Sequence, residues 1–476
     1  MLSQSGESAA EFRAMAEHAI DVVARFYGSI QNEPIAPDTT SQQIAEQLAE
    51  PLPADGVAFH DALQIVRDVV YPMSRHNGHP RFFGYVASPG TPVAALGDLL
   101  SSALNVNLTA WRSSPAAAEI EHLVVDWFKA MLGYPDTAAG ILVSGGSMAN
   151  FAGLSAARTA ASPDFARTGS NHGRPLRIYA SEEAHFSIHK GARLLGYGSE
   201  NVQSIRTDGQ FRMDPHDLEA RIRADLAAGF QPACIVATAG TVNTGAFDPL
   251  AEIADVSERF GVWLHVDGAY GGFSALAAET KPLFAGIDRA DSVSLDPHKW
   301  LYASVGCGCV LYRSPEIART TFAHDAEYTR PVGLARDEAF AFWDYGPELS
   351  RPFRALSVWL QLKVYGAAAI ADAIARNMAC ARYVADLIER SEDFEILAPV
   401  GLSIFCFRFH PRGFTGDLDA LNEAILVRLQ RGGSSYLSNA RIHGKFALRG
   451  CVLNYRTTEA DMIRLLEDVR AAASHL

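Results

Sequence analysis

Apolar positions recur along this chain in two different rhythms. Over residues 9–27, Phe12, Met15, Ile20, Val23 and Phe26 return at helical spacing, which predicts an amphipathic helix. Pro34, Pro37, Pro51 and Pro53 then break the pattern into a loop-rich stretch, leaving an arm with no core of its own. Farther on, short and nearly continuous apolar runs take over at 178–180, 235–239 and 262–266, with Val293 and Leu295 forming another. Such runs, separated by longer segments, predict strands of a mostly parallel sheet buried on both faces. The last third alternates predicted helices (355–365 and 368–388) with predicted strands (402–409 and 446–454). The expected organisation is a helical arm over 1–80, a large α/β domain over 81–355 and a smaller C-terminal α+β domain over 356–476.

Composition narrows the classes. A chain that is 48% hydrophobic and 20% charged can bury a large core. Its net charge of −13 argues against nucleic acid or an anionic membrane as the main partner, since both need a basic face. No apolar run suggests a membrane span, and the N-terminus lacks a signal-peptide pattern, so a cytoplasmic enzyme is expected. The six cysteines and 15 histidines show no Cys-x-x-Cys pair and no metal-ligand spacing, which predicts reduced, buried thiols and no metal.

Candidate chemistry sits where the apolar runs end. The run 262–266 leads into Asp267, and Ser292-Val293-Ser294-Leu295 leads into Asp296-Pro297-His298-Lys299-Trp300. Lys299 lies 32 residues after Asp267, a gap that fits one crossover with a helix-sized connection, returning to a neighbouring strand at the same sheet edge. A lysine there suits covalent capture of an aldehyde cofactor, and an acid there suits a pyridine nitrogen that must stay protonated. Upstream, Ser144-Gly145-Gly146-Ser147 precedes a good helix over 151–158; amides at a helix start bind phosphate. By itself such a turn is a weak motif. Combined with an acid and a lysine at strand ends, it reads as a phosphate cup for pyridoxal phosphate. His185 follows the run 178–180, and the polar loop 240–249 follows the run 235–239, where ligands of open α/β sheets collect.

Together with Glu11-Phe12-Arg13, Pro80-Arg81-Phe82-Phe83-Gly84-Tyr85, Arg449 and Arg456-Thr457-Thr458, these motifs make nearly the whole chain resemble the group II pyridoxal-phosphate decarboxylases. Within that family the chain is most similar to the aromatic-L-amino-acid decarboxylases. The resemblance implies a type I, aminotransferase-like fold and an obligate homodimer with the active site at the interface. It makes Lys299 the cofactor's anchor and Asp267 the partner of the pyridine nitrogen, and it stacks His185 on the ring. Gly146, Ser147, Thr241, His298, Asp296 and Ser88 are further cofactor-binding candidates. Phe322-x-x-Asp325-x-x-Tyr328, within a loop over 320–333, matches the family's mobile catalytic loop, making Tyr328 the acid that protonates Cα.

Two positions depart from the family pattern. Val242 stands where many relatives carry a hydroxyl. Asp296 stands where several carry an asparagine, and a carboxylate beside a phosphate dianion repels it unless turned away or protonated. The implied reaction is decarboxylation of an L-amino acid such as tyrosine, DOPA, tryptophan or phenylalanine to the amine and CO2. An aldehyde synthase or an aminotransferase on the same fold stays open; relatives with phenylalanine in place of Tyr328 make aldehydes. Asn77, Val86, Asn107 and Thr109 occupy positions that relatives fill with bulky apolar side chains, implying a wider or more polar pocket.

Overall fold

The computed structural model describes residues 8–169, 174–324 and 340–476. Its large sheet contains Ala139–Val143 (β1), Leu176–Ser181 (β2), Val202–Ile205 (β3), Gln231–Thr238 (β4), Trp263–Gly268 (β5), Ser292–Leu295 (β6) and Gly308–Tyr312 (β7), in the order β1-β7-β6-β5-β4-β2-β3. The strands from β3 to β6 are parallel, and β7 is antiparallel to both its neighbours. Inserting β7 between β6 and β1 therefore leaves β1 pointing the same way as the parallel set. Six strands thus deliver their carboxyl ends to one edge, which is where the motifs sit.

The inner strands are apolar on both faces: Cys234, Ile235, Val236 and Ala237 of β4 and Leu264 and Val266 of β5 are buried. That burial removes on the order of 2 kcal/mol of exposure cost per large aliphatic side chain. Helix Gly146–Ala161 packs across β4, β5, β6 and β7. Small residues on it allow the approach; a Cβ at Gly153 would lie 2.6 Å from the His265 ring.

As the 32-residue spacing predicts, β5 and β6 are neighbours with Asp267 opposite Ser294. The connection is not a helix, however. It is three short 3₁₀ turns, Gly272–Leu276, Lys281–Phe284 and Ile287–Arg289. The chain must fold tightly back onto β6, since a Cβ at Gly272 would meet Leu295 at 2.3 Å, and Pro282 interrupts any longer helix.

The two helices expected near 355–388 form one element, Ala355–Glu389, broken at Gly366 (φ 77°, ψ 156°). By length and composition alone it is long and apolar enough to cross a membrane, contrary to expectation, yet it packs on helices Pro92–Leu104 and Pro115–Leu132. A second, antiparallel sheet contains Phe394–Ile396 (β8), Ile404–Phe409 (β9), Ser438–Ile442 (β10) and Lys445–Cys451 (β11), in the order β10-β11-β9-β8. Helices Leu418–Gly432 and Glu459–Ala473 share its core. β9 starts later than the apolar run suggests because Leu402 takes a left-handed turn (φ 48°). At the other end of the chain, helix Ala9–Ser29 begins with a Ser8/Glu11 capping box and buries none of its residues.

Candidate active site

A cavity of about 320 Å³ opens at the carboxyl edge of the large sheet. Its lining comes from the segment after β1 (Ser144, Gly145, Gly146, Ser147, Met148, Asn150), His185 after β2, the end of β4 and its loop (Thr238, Gly240, Val242), the end of β5 and the residues after it (Asp267, Ala269, Tyr270) and the turn after β6 (Asp296, His298, Lys299). The turn after β1 needs glycine. Gly145 has φ 151°, and a Cβ on the facing Gly308 would lie 2.5 Å from the Gly145 Cα. The next residue, Gly146, starts helix Gly146–Ala161, so its unpaired amides and the helix dipole are presented at the cavity wall.

Lys299 stands in a tight turn after β6, with its amide bonded to the Asp296 carbonyl at 2.9 Å. Its Nζ lies 2.9 Å from Asp296 Oδ2, and His298 Nε2 is 3.7 Å from the same oxygen. His298 Nδ1 donates to the Cys307 carbonyl at 2.6 Å, and Ser88 Oγ donates to the His298 carbonyl at 2.8 Å. Asp296 is therefore not turned away from the glycine turn; a Cβ at Gly146 would sit 2.7 Å from its Oδ2.

Asp267 is finished differently. Its Oδ2 accepts from Asn150 Nδ2 at 2.8 Å, and its Oδ1 accepts from Ser294 Oγ and the Ala269 amide, each at 3.1 Å. Asn150 also donates to Ser187 Oγ at 2.9 Å, which lies 2.7 Å from His185 Nδ1. Burial lowers the pKa of His185 below the ordinary histidine value, with the Asp267 charge opposing that shift. Burial likewise pushes His265, behind Asn150, down to about 4.

The structure thus brings Lys299, Asp267, His185, Gly146, Ser147, His298 and Asp296 to one cavity. Ser88 and Thr241 are not in its lining. Ser88 holds the turn from behind, and the Thr241 hydroxyl closes its own loop through the Ala246 amide and Thr244, each at 3.0 Å. Tyr328 lies outside the described residues. Sequence reasoning missed Asn150, Ser187, Ser294 and Thr238. Asn150 did leave a signal: it is a polar residue among small ones on the helix face that meets the sheet.

Pyridoxal phosphate fits this set. An amine and a carboxylate stand at the ends of adjacent strands, and a bare helix start is cleared of Cβ atoms. The cavity-lining Thr238 Oγ1 is buried with no hydrogen-bond partner among the described residues, as expected of an atom awaiting a polar ligand.

The comparisons agree with that chemistry. Residues 42–410 match the model of the pyridoxal-dependent decarboxylase conserved domain. The chain is 34% identical to an aromatic-L-amino-acid decarboxylase of Bacillus atrophaeus over 471 residues, covering 98% of this chain and 97% of that one. It is 31% identical to a 4-hydroxyphenylacetaldehyde synthase of Rhodiola rosea over 449 residues, with 92% and 90% covered. The crystal structure of Oryza sativa TDC with PLP and tryptamine superposes with a TM-score of 0.90 at 29% identity, covering 98% of each chain. The same fold, cofactor chemistry and full-length similarity place this chain in the pyridoxal-dependent decarboxylase family, as a pyridoxal-phosphate-dependent amino acid decarboxylase.

Proposed function

We propose that this decarboxylase acts on aromatic L-amino acids, releasing CO2 and the corresponding amine, as a cytoplasmic homodimer with its active site at the subunit interface. The observation that carries the reading is the placement of Lys299 and Asp267 at the ends of adjacent parallel strands in one cavity. Bound pyridoxal phosphate supplies an electron sink for the pair left on Cα when the carboxylate departs. Lys299 would anchor it, Asp267 would hold the proton on its ring nitrogen, His185 would offer a flat face, and Gly146 and Ser147 would receive its phosphate. Tyr328 is the acid we assign to return a proton to Cα, with His185 next in line. Selection of the bond to be broken rests on how the walls orient the substrate.

Support for an aromatic substrate comes from the relatives. Asn107 Oδ1 accepts from the Arg351 amide at 2.9 Å, and the Thr109 hydroxyl pairs with Ser113 at 2.8 Å. Neither residue lines the cavity that holds Lys299 and Asp267, so the aromatic reading rests on the relatives. Support for the dimer comes from the arm. An apolar groove of about 510 Å³ runs between helices Ala9–Ser29 and Pro92–Leu104, and Phe12 is 57% exposed there.

The decisive experiment is a screen of amino acids with the holoenzyme, following CO2, amine, keto acid and hydrogen peroxide together. Amine and CO2 in equal amounts from an aromatic substrate are expected. Aldehyde with peroxide would make it a synthase, and keto acid without CO2 an aminotransferase. Tyr328→Phe should divert product from amine to aldehyde, peroxide and ammonia; amine as sole product at a lower rate would assign Tyr328 to packing alone. A catalytically competent monomer in dilute sedimentation runs would exclude the interface reading.

A further inference from the structure

Behind the cavity, a line of buried side chains joins β5 and β6 to helix Gly146–Ala161. The Trp263 indole N–H, which can only donate, reaches Ser292 Oγ at 2.9 Å. Ser292 Oγ is 2.8 Å from His265 Nδ1, and His265 Nε2 is 2.9 Å from Asn150 Oδ1. Asn150 Nδ2 then donates to Asp267 Oδ2 and Ser187 Oγ. The far end is a carboxylate, which can only accept. The carboxylate fixes the Asn150 amide, and with His265 neutral that sets the sense of every bond back to Trp263. Turning the Asn150 amide over would set its oxygen against the Asp267 carboxylate. With that amide in place, His265 must donate from Nε2 and accept at Nδ1 from the Ser292 hydroxyl.

The branch to His185 is also determined. The Ser187 backbone N–H points at His185 Nδ1 at 3.2 Å, so Nδ1 is an acceptor, and the neutral ring carries its proton on Nε2. Gly153 makes the line possible, because a Cβ there would collide with His265 at 2.6 Å.

We propose that Asn150 is a positioning residue that ties Asp267 to His185 through this one-way chain of donors, holding the Asp267 carboxylate in place and fixing His185 as the Nε2–H tautomer. The proposal rests on the reading of Asp267 as the acid that faces the cofactor's ring nitrogen, but the tautomers it predicts can be observed without the cofactor. His185 and His265 then act as oriented neutral dipoles, not as cations, and the Asp267 side chain is held at the cavity wall.

Two measurements test it. In apoenzyme with 15N-labelled imidazoles, assigned by signal loss in His185→Gln and His265→Gln, both rings should show protonated Nε2 and bare Nδ1 at neutral pH. A protonated Nδ1 on either ring overturns the chain. Asn150→Asp keeps the shape and removes the donor, so the apoenzyme should bind pyridoxal phosphate at least ~10-fold more weakly than wild type and more weakly than Asn150→Ala, the scale of losing a hydrogen bond to a charged group. A merely space-filling Asn150 would leave the isosteric aspartate near wild type and the alanine worse, and that order overturns the proposal. Should Asn150→Asp fail to fold, the wild-type tautomers still decide. A failed decarboxylation screen with these tautomers intact would sink the functional reading and leave the positioning role standing.

Discussion

Asp267 and Asp296 are both buried carboxylates in one cavity, and they are completed in different ways. Both oxygens of Asp267 accept from fixed donors: Asn150, Ser294 and the Ala269 amide. Asp296 has one movable cation, Lys299 at 2.9 Å, while its Oδ1 has no hydrogen-bond partner among the described residues. An acid whose two oxygens both accept from fixed donors is held in position whatever the cavity contains. An acid whose partner is the proposed anchor of the cofactor would change its surroundings once that amine is engaged, and an uncompensated buried charge is costly. Both Asp267 oxygens have donors within the protein, and Asp296 Oδ1 has none among the described residues.

The sharpest way to break this contrast is at the shared cation. Lys299→Ala should remove the visible absorbance band that marks a lysine-bound cofactor. Losing a covalently placed catalyst should lower turnover by about 1000-fold or more. Retention of the band and of turnover would move the anchor to another lysine. Next in size, Asp267→Asn should fold and still bind cofactor but lose about 100- to 1000-fold in kcat, the scale of deleting one preorganised electrostatic group. Activity within a few-fold of wild type would remove the ring nitrogen from its assigned partner.

The contrast also marks where the sequence was readable. Lys299, Asp267 and His185 each follow an apolar run, so strand ends alone placed them at one edge, and β7, antiparallel between β6 and β1, left that edge intact. The partners of Asp267 were not readable in the same way. Asn150, Ser292, Ser294 and His265 come from separate segments, and their bonds exist only once helix Gly146–Ala161 lies on the sheet. A lone histidine in an apolar run carries no sign of the asparagine 115 positions away that it will meet. The crossover between β5 and β6 was expected to be helical because its length allowed one; close packing of Gly272 on Leu295 and the proline at 282 decided otherwise. Asp296 was visible as a departure from the family pattern, but its direction was not, since only the folded turn sets it against Gly146.

A smaller effect is expected at that contact. Gly146→Ala introduces a Cβ 2.7 Å from Asp296 Oδ2 and 2.9 Å from the Ala269 Cβ. Crowding a packed site costs on the order of 1–2 kcal/mol, so apoenzyme should bind pyridoxal phosphate about 10-fold more weakly, with the thermal midpoint little changed. The crowding falls on the Asp296 side chain and the Ala269 Cβ and removes no donor to Asp267, so the rate at saturating cofactor should stay close to wild type. A large loss of rate at saturation would mean that the two carboxylates are not independent.

The smallest effect has the opposite sign. Asp296→Asn keeps the shape of the side chain, removes a negative charge beside the helix start, and gives the position a donor in place of a repelling oxygen. Like charges about 5 Å apart in a partly screened site cost a few kcal/mol at an effective dielectric near 20. Part of that gain is lost because Lys299 forfeits its ion pair at 2.9 Å, so a net tightening of cofactor binding by about 3- to 10-fold is expected. Equilibrium binding of pyridoxal phosphate to apoenzyme decides it. Weaker binding in the asparagine variant would show that Asp296 serves the bound cofactor, either as a protonated donor or by holding Lys299 in place, and Asp296 would then be as complete as Asp267.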